Sequence, residues 1–137
     1  MKKQTLIVAS FCLVFGLVSA HAQAGGIQAN VPFSFAASGK TFPAGEYTMI
    51  ATPHQVKIQD ANGKTVAMIL ANEVSGRTGG ANGRIIFHCY REGCFLSELW
   101  SPVQENGKQL LVSRTEARLA MEERGNYFAV MGGKPQK

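Results

Sequence analysis

Apolar and polar residues alternate one for one through much of this chain, the period of half-buried β-strands. The cleanest stretch is His54 to Gln59, where Val56 and Ile58 fall on one side and Lys57 and Gln59 on the other. Asp60, Ala61, Asn62 and Gly63 follow, and Asn and Gly tolerate the positive φ of a tight reversal. Lys64 to Ala71 then returns with a continuous apolar run, which predicts a strand covered on both faces. Residues 54–71 therefore read as a hairpin.

A second hairpin is written in Arg84 to Tyr90 and Cys94 to Trp100, around the turn-like Tyr90-Arg91-Glu92-Gly93. In that register Cys89 faces Cys94. One face carries Ile85, Phe87, Cys89, Cys94, Leu96, Glu98 and Trp100, and the other carries Ile86, His88, Tyr90, Phe95, Ser97 and Leu99. Both faces are largely apolar, so this hairpin should lie deep in the fold. Opposed cysteines in a hairpin can be drawn into a bridge, and the short closed loop gives it about 2 kcal/mol in the chain-entropy treatment. Free thiols, a metal site and a redox site are the competing readings. A structural zinc wants four ligands and a thiol-redox site wants C-x-x-C, whereas one C-x₄-C pair and few histidines stand here.

The rest of the chain continues in the same style. Residues 23–30 are small and polar and read as a loose lead-in. Val31 to Phe35 alternates, and Pro32 makes it an edge or a strand start. Turns are expected at Ser38 to Thr41 and at Phe42 to Gly45, with a strand over Glu46 to Ala51. Residues 72–83 hold four glycines and read as a flexible loop. Ser101 to Gly107 is a turn region, and Gln109 to Val112 a short strand. Ser113 and Glu116 have the spacing of a capping box, opening a short helix that Gly125 should end. Residues 126–131 are strand-like, and the tail 132–137 should fray. The pattern predicts a mainly β fold: a small antiparallel sandwich or barrel of about seven or eight strands with one short C-terminal helix.

The N-terminus changes the picture. Lys2 and Lys3 precede an apolar run from Leu6 to Val18, and Ala20-His21-Ala22 offers an A-x-A exit. These are the three marks of a secretory signal over residues 1–22. The run is about 13 residues, short of the roughly 20 that a membrane span needs. Cleavage leaves a single β-rich domain over 23–137, exported to the periplasm or beyond the cell, where disulfides persist. Twelve basic and nine acidic residues then remain, so the formal charge falls from +5 to +3. The basic residues are scattered and lack interleaved aromatics, which gives no nucleic-acid groove.

Candidate chemistry is sparse. Ser38-Gly39-Lys40-Thr41 invites a phosphate-loop reading, but Ser34 stands where the motif needs its first glycine. His54 and His88 are the histidines left after cleavage. His88 and Glu98 would make an acid–base pair, yet the hairpin register puts them on opposite faces; Ser97 lies diagonally from His88 without an orienting acid. Glu46 and Glu98 are candidate paired carboxylates, and Tyr47, Tyr90 and Trp100 a candidate stacking platform. None of these assembles from sequence alone. No catalytic residue, cofactor or metal is assigned.

Val31-Pro-Phe-Ser-Phe35 followed by Gly39-Lys-Thr-Phe-Pro-Ala-Gly-Glu-Tyr-Thr48 resembles a group of small exported bacterial proteins, abundant in acidobacteria, that open on a VPFxF…GKTLPAGEYTV-like pattern. Phe95 to Trp100 and the Ser113–Arg124 segment resemble that group's second half, and Phe42 stands where leucine is usual. The resemblance implies an exported β-domain and brings no site residue with it. The resulting expectation is a non-catalytic envelope or extracellular module that binds an unknown protein or glycan. A small barrel carrying an apolar ligand, and a hydrolase using His88 or His54, are the alternatives.

Overall fold

A computed structural model describes residues 26–76, 80, 82–102 and 106–133. The expected signal segment 1–22 lies outside the described residues, as do 103–105 and 134–137. The strands before the central hairpin are β1 (Gly26–Val31), β2 (Phe35–Ala37), β3 (Lys40–Phe42), β4 (Gly45–Ala51), β5 (Gln55–Gln59) and β6 (Thr65–Ser75). After them come β7 (Arg84–Tyr90), β8 (Gly93–Trp100), β9 (Asn106–Leu110), helix α1 (Arg114–Glu122) and β10 (Asn126–Met131). The class is the expected one, mainly β with one short C-terminal helix.

The main path of the sheet runs β1–β4–β5–β6–β9–β8–β7–β10, and every neighbouring pair along it is antiparallel. β9 leaves the edge of β8 after Gln109, and the short β2–β3 hairpin takes over that edge, with β2 parallel to β8 through Phe35 and Ala36. The sheet curls until its first and last strands adjoin. Gly133 N–H donates to the Gln28 carbonyl at 2.9 Å, and Phe33 packs edge-on against Phe128 at 5.5 Å. No ladder joins β1 to β10, so the curl stays open along that seam.

The inside of the curl is one packed cluster. Ile27, Ala29 and Val31 of β1, Met49 of β4, Val56 and Ile58 of β5, Ile85 and Phe87 of β7, and Leu96 and Leu99 of β8 all belong to it. The aromatic rings of Phe35, Phe42 and Tyr47 meet at 5.3 to 6.3 Å, and Phe35 also reaches Phe87. The buried Tyr47 hydroxyl donates to the Pro43 carbonyl at 2.6 Å, which satisfies its one polar atom.

Several expectations are corrected. The lead-in over 23–30 holds β1, whose alternation of Ile27, Ala29 and Val31 escapes notice because alanine is small and the intervening residues are polar. Val31 to Phe35 is not a strand: Pro32 ends β1, and the chain turns a corner before β2. These additions bring the described strands to ten. β6 is not covered on both faces, because Met68 and Leu70 point outward and are 59% and 57% exposed. It also runs on to Ser75, so the expected 72–83 loop begins inside a strand, and residues 77–79 and 81 lie outside the described set. β9 starts at Asn106, inside the expected turn, and stops at Leu110. Gly132 is hydrogen-bonded to Gly83, so the first two residues of the expected frayed tail are tied down.

Two turns follow their residue chemistry closely. Ser38 and Gly39 both take positive φ, 49° and 80°, closing β2–β3 with a two-residue reversal whose hand suits twisted strands. Between β5 and β6 the Asp60 carboxylate accepts from the backbone N–H of Asn62 and Lys64 at 2.9 and 3.0 Å.

Candidate functional site

The β7–β8 hairpin begins in the expected register. Tyr90 pairs with Gly93, Cys89 with Cys94, His88 with Phe95 and Phe87 with Leu96. The turn is thus two residues, Arg91 and Glu92. The cysteine sulfurs lie at bonding distance, 2.10 Å apart, on the core face. Beyond Leu96 the register slips: Ile86 pairs with Glu98 and Ile85 with Leu99. Ser97 is the extra residue, a β-bulge, and it moves every later side chain of β8 to the other face. Leu99 therefore enters the core, while Glu98 and Trp100 join Ile86, His88 and Tyr90 outside. The sequence-based separation of His88 from Glu98 is overturned by this single residue.

Sharing a face does not make His88 and Glu98 a pair. The Glu98 carboxylate instead accepts from Trp100 Nε1 at 2.7 Å, and the indole lies flat over Gly107, where any Cβ would overlap it. The acid that reaches His88 comes from α1. Glu116 Oε1 stands 3.4 Å from His88 Nδ1, and the Tyr90 hydroxyl is 2.9 Å from the same nitrogen. Tyr127 of β10 stacks on the imidazole with ring centres 4.4 Å apart and planes 6° from parallel. The far side of the ring meets Gly125, where an added Cβ would collide with Nε2.

The local sequence explains how α1 delivers this carboxylate. Ser113 caps the helix, its hydroxyl accepting from Glu116 N–H at 3.2 Å. Only half of the expected capping box forms, because the Glu116 side chain turns down to the sheet rather than back to the cap. Glu116 and Leu119, one turn apart, are the buried residues of α1. Outside them, Glu123 Oε1 accepts from Arg91 N–H at 3.0 Å, and Arg118 reaches Glu92 at 3.5 Å. The helix ends with Glu123 N–H donating to the Leu119 carbonyl at 3.0 Å, just before Gly125.

Burial raises the Glu116 carboxyl above its ordinary value of 4.5, and its contacts with His88 and Tyr90 pull it part of the way back. The Tyr90 phenol is raised by burial first and by the Glu116 charge second. A hydrogen-bonded acid–imidazole–phenol group can move a proton among its three heteroatoms. It can also bind two surfaces together, and the crowding at Gly125 favours that use. Glu116 lies 28 residues from His88 in sequence, and its heptad-like neighbour Leu119 is the one sequence signal that it points inward.

The remaining candidates do not converge. His54 is exposed on the β4–β5 turn, and its carbonyl accepts from Ala71 N–H at 3.0 Å. Glu46 on β4 pairs with Asn30, strands away from Glu98. Tyr47 faces the core while Tyr90 and Trp100 face outward, so no common platform exists. Ser38 to Thr41 sits in the β2–β3 reversal with a strand after it, which is not the strand–loop–helix of a phosphate loop.

Compared with known proteins, the chain matches no family model, no characterised sequence and no solved structure. The site therefore rests on its own geometry.

Two of the open clefts border the sheet away from the Arg91–Leu119–Glu123 cleft beside α1. One, about 570 Å³, lies beside Thr52, Glu73 and Ser101. In its wall the buried Lys108 ammonium donates to the Pro53 carbonyl at 3.0 Å and meets Glu73 at 3.4 Å. The other, about 260 Å³, runs past Cys94, Ser34 and Ser113. Among the described residues no group of three potential metal ligands occurs, and no helix is long and apolar enough to cross a membrane.

Proposed function

We propose that the chain is an exported, non-catalytic β-domain that works by binding a protein or glycan of the bacterial envelope or exterior on its outer surface. The observation that carries this reading is how the polar groups are used. His88, Glu116 and Tyr90 are spent on joining α1 to the sheet, and Lys108 on joining the β4–β5 turn to β6 and β9. The basic start, apolar run and A-x-A exit, the facing cysteines and the VPFxF-type resemblance support export.

The interior bears on the carrier alternative. Phe35, Met49, Ile58, Phe87 and Leu99 occupy the space that an apolar ligand would need. A hydrolase using His88 would need Nε2 open to substrate, and that nitrogen abuts Gly125. The test is expression of the full chain in an exporting bacterium, with mass analysis of the recovered protein and photo-crosslinking in intact cells. Cleavage after Ala22, two missing thiols and a discrete cross-linked species that includes a protein or glycan are expected. Retention of residues 1–22, free thiols, or His88-dependent turnover of ester substrates by the purified protein would overturn the proposal.

A further inference from the structure

The outer face of the β7–β8 hairpin is closed by a helix whose buried anchors are one carboxylate and one leucine, joined at its C-terminal end by the Arg91 N–H to Glu123 hydrogen bond. Glu116 is 94% removed from water, yet its oxygens face His88 and Tyr90 and, among the described residues, no cation of fixed charge. Leu119, on the next turn, is the accompanying apolar anchor. The contacts around them are exposed ion pairs, each of little weight in water: Arg118 with Glu92 and Glu122, and Arg91 with Glu123.

We infer that α1 is a proton-sensitive latch, docked more firmly against β7 when the Glu116–His88–Tyr90 cluster takes up a proton and loosened when it gives one up. The inference goes beyond the binding role and does not depend on it.

The groups that face the cluster can be named from each element. β7 supplies His88 and Tyr90, and β10 supplies Tyr127 against the imidazole. α1 supplies Glu116 itself and, one helix end away, the Glu123 charge that bears on Tyr90. The β7–β8 turn supplies Arg91, which is directed to Glu123. Without the extra proton, Tyr90 Oη, His88 Nδ1 and the carboxylate must satisfy one another with a negative charge kept out of water. With it, the group is neutral overall, whether written as carboxyl beside imidazole or as carboxylate beside imidazolium, and every contact survives. The direction of the Glu116 shift agrees. A carboxyl raised above 4.5 in the docked state binds its proton more tightly there than when released to solvent. Docking therefore strengthens as pH falls through the raised value and gains nothing more below about 4.5. Release at higher pH would uncover Leu119 and Tyr90, both buried when the helix is seated.

The experiment is amide hydrogen exchange of the full chain across pH 8 to pH 5, read as protection factors for residues 117–123. One linked proton limits the change to tenfold per pH unit, so protection in the wild type should rise several-fold toward acid with a slope no steeper than that. Glu116→Gln, a neutral isostere, should show no slope and sit near the acid-side protection. Glu122→Gln, which alters an exposed acid of the same helix, should keep the wild-type slope. A flat wild-type profile, or a wild-type slope retained in Glu116→Gln, would overturn the latch. If Glu116→Gln does not fold, carboxyl-carbon NMR of the wild type decides. Glu116 must titrate above 4.5 and in step with the helix protection, and titration at or below 4.5 sinks the idea.

Discussion

The two faces of the β7–β8 hairpin are built on different physics. Inward, Ile85, Phe87, Leu96 and Leu99 belong to the apolar cluster, and the Cys89–Cys94 pair packs against it. Outward, Ile86, Trp100 and Leu119 are just as buried, but His88, Glu98 and Glu116 lie among them, each with a polar partner. The inner face draws its stability from close packing, which is insensitive to pH and tolerant of hydrophobic exchange of similar volume. The outer face draws it from matched donors and acceptors, which fail abruptly when one partner is removed. A strand pair can thus carry a rigid wall on one side and a conditional contact on the other.

Substitutions can separate the two. The largest effect is expected inside: Phe87→Ala should cost about 3–5 kcal/mol in chemical denaturation, because Phe33 and Phe35 cannot close over the hole. Gly125→Ala strikes the outer side. Its methyl must displace the His88 ring, so a loss of about 1–3 kcal/mol is expected, together with loss of the pH slope in α1 exchange. A small loss with the slope intact would show that the imidazole has room to move. Reducing the Cys89–Cys94 pair, or replacing both by serine, should cost about 2 kcal/mol and leave that slope unchanged, since the pair belongs to the inner face. Ser113→Ala removes the helix cap and should cost about 1 kcal/mol, seen as faster exchange confined to the first turn of α1.

The sequence pattern was most readable where period two ran unbroken and a turn carried its own chemistry. The β5–β6 hairpin, the Asp60–Gly63 reversal, the opposed cysteines and the Ser113 cap all follow from neighbouring residues alone. The errors share a cause as well. Ser97 is an ordinary strand residue in an ordinary strand, so nothing local marks it as the bulge that moves Glu98, Leu99 and Trp100 across the sheet. β1 hides because its inward positions include Ala29. Met68 and Leu70 look like core and face water, because a run of apolar residues fixes the strand but not how many layers cover it. The meeting of Glu116 with His88 depends on where a helix lands on a sheet, and no periodicity within either segment encodes that.

The seam between β1 and β10 has a kinetic consequence. Gln28 and Gly133 are about a hundred residues apart, and the bond between them forms only after the whole intervening chain has been laid out. β1 is paired early with β4, its near neighbour, but its other edge must wait for the last strand to arrive. Until then the outer edge of β1, which gains no full ladder and is covered only by the Gly133 bond and the Phe33–Phe128 contact, stands open to a second chain in the same unfinished condition. The rate at which this protein completes itself, and its tendency to associate while incomplete, should therefore follow the arrival of Asn126 to Gly133 more closely than any event in the middle of the chain.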